Sequence, residues 1–218
     1  MFYEPEKDDH GLPFNPYKSI VVPRPIGWIS TIGLDGVANL APYSQFTNLG
    51  YDPPYVLFSS SGHCKDSARN ASETGEFVVN LATYDLRDLV NETSAEIPAN
   101  ESEFEVAKIE MIPSRLVRAP RVARSPIHLE CKYYSTITLP CITPGTSVHA
   151  VIGRVVGVHI SDDAITSDGK IDILKIKPLA RLGYYDYTAV ETVFSLSPPK
   201  GIGRGLEGRP LRTSNEQS

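Results

Sequence analysis

Two polar segments carry the residue types that could do chemistry. Asn39-Leu-Ala-Pro-Tyr-Ser44 brings an amide, a phenol and a hydroxyl together, and Phe58-Ser-Ser-Ser-Gly-His-Cys-Lys-Asp-Ser-Ala-Arg-Asn70 adds a run of hydroxyls, a lysine and a second amide. A strand that ends in Ser59-Ser60-Ser61-Gly62 and feeds a helix near Lys65 would aim free backbone N–H groups and the positive end of a helix dipole at one point. Lys65 and the serine hydroxyls add donors there, and the guest that suits such a set is a phosphate. The same residues suit a plain surface loop in which Asp66 or Ser67 caps the helix. Local sequence leaves both readings open.

The other chemistry-bearing residues are scattered. His10, His63, His128, His149 and His159 include no pair at metal-ligand spacing, so no metal site is expected. Three cysteines, Cys64, Cys131 and Cys141, are odd in number and form no Cys-x-x-Cys, which suggests neither a disulfide framework nor a structural zinc. Cys64 lies beside the serine loop, but no catalytic His–Cys signature surrounds it, and it reads as an incidental thiol. Gly201-Ile-Gly-Arg-Gly205 has no strand before it and no room for a βαβ unit after it, so it is not a dinucleotide fingerprint.

The elements that must position these residues follow from pattern. Residues 1–19 have no sustained period and read as an irregular arm. Ile20-Val-Val22 and Ile26-Gly-Trp-Ile-Ser-Thr-Ile32, then Asp35-Gly36, then Val37 to Ala41 predict a strand pair around a hairpin turn, with Pro42 placing the second strand at an edge or a bend. Tyr55 to Ser59 reads as a fully buried strand, Lys65 to Thr74 as a short helix closing on Gly75, and Phe77 to Leu81 as a further strand. A second helix is expected over Tyr84 to Glu96, ending before Pro98. Glu101 to Ser125 shows no clear period. Ile127 to Leu139 and Ser147 to Ile160 predict two long strands, and Ile171 to Ile176 another. The arrangement expected is one mainly β domain over residues 20–196, a closed antiparallel barrel with a few short peripheral helices, followed by a tail of low order over 197–218.

Composition removes several function classes. A net charge of -5 gives no basic field for phosphate backbones, so no nucleic-acid partner is expected. No run of 18 apolar residues exists for a membrane helix. The acidic N-terminal residues do not resemble a secretory signal, and a cytoplasmic location is expected.

Arg24-Pro-Ile-Gly-Trp-Ile-Ser-Thr31, Asp35-Gly36, Asn39 to Ser44, Pro53-Pro54, Phe58-Ser59, Lys65-Asp-Ser67 with Asn70, and Phe77-Val-Val-Asn80 resemble, in order and spacing, the flavin reductase-like family of FMN-binding split β-barrel proteins. The likeness covers roughly residues 20 to 190 and is strongest up to Asn80. It implies an FMN-binding split barrel working as a homodimer, with the flavin near the subunit interface and NAD(P)H as hydride donor. Ser30 and Thr31 then correspond to the strand end that approaches the flavin, and Asn39, Ala41, Tyr43 and Ser44 to the segment along the ring edge. Ser59, Ser60, Lys65, Asp66, Ser67 and Asn70 correspond to the phosphate loop and helix start, with Ser67 keeping the hydroxyl of the threonine many relatives have.

His149 resembles a strand histidine that faces the nicotinamide or flavin, although the Gly-Asp that commonly precedes it is missing here; a strand histidine with a satisfied hydrogen bond is the other reading. Trp28 suits either the core or a cover for the ring. Arg181 with Tyr184, Tyr185 and Tyr187 suits either contact with a cofactor held by a second subunit or packing between subunits. The family offers two activities, hydride transfer from NAD(P)H through FMN to a flavin, oxygen or protein acceptor, or a flavoredoxin-type FMN carrier without its own NAD(P)H site.

Overall fold

The computed structural model describes residues 1–196; the expected tail over 197–218 lies outside them. Twelve strands are found in this range: β1 Arg24–Pro25, β2 Gly27–Ile32, β3 Ala38–Tyr43, β4 Gln45–Tyr51, β5 Pro54–Gly62, β6 Glu76–Leu81, β7 Met111–Ile112, β8 Arg121–Val122, β9 Ile127–Pro140, β10 Ser147–Ile160, β11 Leu179–Gly183 and β12 Asp186–Ala189. The helices are α1 Asp66–Thr74, α2 Arg87–Glu92, α3 Glu103–Val106 and α4 Ile173–Ile176. None is long and apolar enough to cross a membrane.

Seven strands form one antiparallel sheet in the order β3-β2-β6-β9-β10-β5-β4. Its two edge strands are consecutive in the chain, β3 ending at Tyr43 and β4 beginning at Gln45. The sheet is therefore rolled, and Tyr43 at one edge packs its ring 4.9 Å from Phe58, which lies 5.3 Å from Phe77 on the interior strand β6. No ladder joins β3 to β4 among the described residues, so the two edges meet through Ser44 rather than through hydrogen bonds. Pro42 is tolerated in β3 because an edge strand has no second neighbour waiting for its missing N–H.

Alternation along the strands separates the buried side chains into three clusters. Ile29, Val56, Phe58, Phe77, Val79, Cys131 and Val151 fill the inside of the roll, each large side chain contributing about 1.5–3 kcal/mol of burial. Gly153 is needed there, since a Cβ on it would lie 2.3 Å from the ring of Phe77. Trp28 and Leu40 face outward into a second cluster with Leu86, Val90, Phe104 and Val122. Trp28 is fully buried and donates from Nε1 to Thr93 Oγ1 at 2.9 Å, which settles it as core.

Several expected elements are modified. The hairpin at Asp35-Gly36, α1 with left-handed Gly75 after it, and β6, β9 and β10 lie where the patterns place them. β5 is not buried on both faces: Val56 and Phe58 point in while Tyr55 and Leu57 stay half-exposed. The second helix is shorter than expected, a 3-10 turn over Tyr84–Leu86 leading into α2, which ends at Glu92. Ile171 to Ile176 is not a strand, because the Asp172 carboxylate accepts the Lys175 N–H and starts a single helical turn. The aperiodic Glu101 to Ser125 stretch is ordered by burial, with Phe104, Val117, Ala119 and Val122 all inside.

Candidate functional site

A cleft of about 490 Å³ opens where β3, β5 and the start of α1 converge. It is lined by Asn39, Ala41, Tyr43 and Ser44 from β3 and its exit, Ser59 and Ser60 from β5, and Lys65 and Asp66 at the helix start. The two segments singled out in the sequence thus form two walls of one cavity. The chain folds this way locally because β5 ends at Gly62, which takes a φ of 108°, a value that favours glycine, before the chain enters α1.

At the start of α1 neither Asp66 nor Ser67 caps the helix. Lys65 occupies the N-cap position in an extended conformation and makes no side-chain cap. Asp66 pairs instead with Arg69 at 2.6 Å, and the Ser67 hydroxyl accepts from Asn39 Nδ2 at 2.9 Å. The Ala68 and Arg69 N–H groups both donate to the Lys65 carbonyl. The Asp66 and Ser67 N–H groups have no partner among the described residues, which leaves the positive end of a nine-residue helix uncapped beside the cleft. Ser60 Oγ, on the β5 wall, is buried and also has no partner.

Charge in the cleft is mixed. Lys65 Nζ lies 2.5 Å from Glu96 Oε1, and this hydrogen-bonded pairing holds the Glu96 carboxyl below its ordinary value. Glu103 is 8% exposed and accepts the Leu40 N–H at 2.9 Å. Burial pushes its carboxyl up against that hydrogen bond, and neighbouring Asp66 adds to the rise. Burial likewise pushes the Tyr43 phenol up to about 12, with a hydrogen bond to Ser67 opposing and Asp66 and Glu103 reinforcing. Tyr43 is therefore a neutral donor across the ordinary pH range.

Not every expected residue reaches the cleft. Ser30 and Thr31 are fully buried. Ser30 Oγ donates to the Pro120 carbonyl at 2.5 Å and accepts from Asn80, while Thr31 Oγ1 accepts from Asn70 Nδ2 at 3.2 Å. Their hydroxyls serve the scaffold, and Thr31 positions Asn70. Ser67 lies behind the cleft, holding Asn39, and Asn70 borders an adjoining cavity of about 190 Å³ with Arg69 and the β2–β3 turn. His149 is half-buried and pairs across the ladder with Ser60 without lining the cleft. Arg181 stacks its guanidinium 4.4 Å over the Tyr187 ring on the β11–β12 hairpin, and Tyr187 borders a separate cavity with Tyr84 and Arg87.

Sequence reasoning missed one whole wall. Thr93 to Ile97 and Glu103 line the cleft, from a loop and a segment without period. The only local signal was the polar run Thr93-Ser-Ala-Glu after a helical pattern, which reads equally as a helix end.

Residues 19–188 match the family model described as flavin reductase like domain. A protein of Halalkalibacterium halodurans is 37% identical over 183 residues, covering 82% of this chain and 87% of its own. Among solved structures, nitrilotriacetate monooxygenase component B from Bacillus cereus superposes with a TM-score of 0.82 at 32% identity, covering 90% of this chain and 98% of that one. A split barrel domain from Shewanella frigidimarina, at 24% identity and a TM-score of 0.74 over 84% of this chain and 90% of that one, shares the fold.

Proposed function

The chain belongs to the flavin reductase-like domain family, and we propose that it is a flavin-dependent oxidoreductase that binds FMN in the cleft between β3, β5 and α1 and takes NADH or NADPH as co-substrate. The observation that carries this reading is the uncapped start of α1 beside Lys65. Free N–H groups at a helix start and an ammonium are the donor set a phosphate needs, and they fit FMN better than an unphosphorylated flavin. FMN, when bound, supplies hydride acceptance at N5 and onward transfer to a second flavin, oxygen or a protein acceptor.

The protein's part is to bind and orient. Lys65 and the Asp66 and Ser67 N–H groups hold the phosphate. Asn39, fixed by Ser67, and the neutral Tyr43 offer donors along β3, where the polar edge of the ring needs them as negative charge develops. His149 has no assigned role. A closed split barrel acting as a homodimer completes the proposal.

The test is spectroscopic. Purified protein with added FMN is expected to bind it and to bleach on anaerobic addition of NADH or NADPH. No binding of FMN overturns the reading, and binding without bleaching by either nucleotide replaces it with the flavoredoxin-type carrier.

A further inference from the structure

One carboxylate in the cleft has no cation. Glu103, the first residue of α3, is more than nine-tenths buried yet lines the cavity with Asn39 and Asp66. Its Oε2 accepts the Leu40 N–H at 2.9 Å, and no lysine or arginine pairs with it among the described residues. The lysine of the cleft, Lys65, is held by Glu96. The backbone N–H of Glu103 itself is the other donor to this carboxylate, and since two carboxylate oxygens accept about four hydrogen bonds, a ligand that brings further donors is favoured there.

On the β5 wall, the buried Ser60 hydroxyl is unpartnered and can both donate and accept. A phosphate would be repelled by Glu103, since it brings acceptors and negative charge to an acceptor. A flat ring offers too few hydroxyl-like donors for both positions. A polyol satisfies both, because each of its hydroxyls donates once and accepts as well.

We infer that Glu103 is the acceptor for the ribityl chain of the ligand, taking its hydroxyl donors, with Ser60 as the counterpart on the β5 wall. This rests on the FMN reading above and adds what the protein recognises between ring and phosphate. It makes the site selective for polyol-bearing flavins independently of the phosphate.

Three flavins separate the parts: FMN, riboflavin, which lacks the phosphate, and lumiflavin, which lacks the ribityl chain. Their affinities are read by fluorescence titration, with lumiflavin read by competition against bound FMN. Glu103→Ala is expected to weaken FMN and riboflavin by the same factor, about ten-fold for a hydrogen bond to a charged group, and to leave lumiflavin unchanged. Glu103→Gln keeps one oxygen for the Leu40 N–H and replaces the other with an NH2 that can only donate to a ligand hydroxyl, so it is expected to recover part of the loss; Ser60→Ala is expected to give a smaller loss of the same selectivity. Equal weakening of lumiflavin, or an unchanged riboflavin-to-lumiflavin ratio in both Glu103 variants, overturns the assignment while leaving FMN binding intact. Failure of the unaltered protein to bind FMN overturns the FMN reading itself, and this assignment with it.

Discussion

A phosphate entering the cleft must take Lys65 from a carboxylate that already holds it, 2.5 Å away on Glu96. Glu96 is largely exposed and Lys65 partly so, so the pair is weak and salt-sensitive. Glu96→Gln is expected to tighten FMN by a few-fold at low ionic strength, to leave riboflavin unchanged, and to lose its effect as salt is raised; titrations at two salt concentrations check this. Lys65→Ala is expected to weaken FMN alone. Ser67→Ala differs, because the Ser67 hydroxyl accepts from Asn39 and bonds Tyr43 rather than capping the helix. Its loss should weaken FMN and riboflavin together, and a loss confined to FMN would mean that Ser67 addresses the phosphate directly.

At the scale of elements, the loop over residues 113–118 is pinned to the sheet by Glu76 on β6, which accepts the Arg118 N–H, and by Glu130. Glu130 on β9 is fully buried and accepts from the Arg115 and Leu116 N–H groups and from His159 Nε2. Burial alone would raise its carboxyl, but these donors outweigh burial and hold it below the ordinary carboxylate range. A carboxyl depressed in the folded state adds stability above its unfolded value and loses it as pH falls through the folded one. Thermal stability is thus expected to drop on acidification below about pH 4, with a shallower drop in Glu130→Gln, whose neutral-pH stability should be lower by about 2 kcal/mol for weakened hydrogen bonds to a charged group. Parallel acid limbs in the two proteins would remove Glu130 as the cause. This same loop shows why part of the fold was illegible: Val117 and Ala119 are buried through tertiary contact, at spacings that carry no period. β4 was invisible for the opposite reason, since most of its residues are exposed and no alternation marks it. The β2–β3 hairpin, α1, β9 and β10 were legible because turn residues, a cap glycine and alternation each act locally. The candidate site divides along the same line. Asn39 to Ser44 and Ser59 to Asp66 are contiguous runs, whereas Glu96 and Glu103 join them only once α2 and α3 have packed over Trp28.

At the scale of the molecule, a single chain leaves an edge and a hairpin facing water. β4 is an edge strand with Leu49 and Tyr51 exposed, and the β9–β10 hairpin exposes Ile137, Leu139 and Ile142. Unpaired strand edges and contiguous apolar surface are what a partner surface covers, and a stable dimer needs about 800 Å² from each side. These features support the proposed homodimer and give it a location. Ile137 and Leu139 stand two apart on one strand and so share its outward face, with Ala150 and Val148 as their ladder partners. Light scattering of the unaltered protein is expected to give twice the mass of one chain, and Ile137→Glu with Leu139→Glu is expected to shift it toward one. Because the cleft wall at Ser60 belongs to β5, which β10 pairs directly, two outcomes of the doubled variant are distinguishable: lost dimer with retained FMN means each chain holds its own site, and joint loss with an unchanged circular dichroism spectrum means the partner completes it. A monomer in the unaltered protein would assign this apolar face to a different molecule.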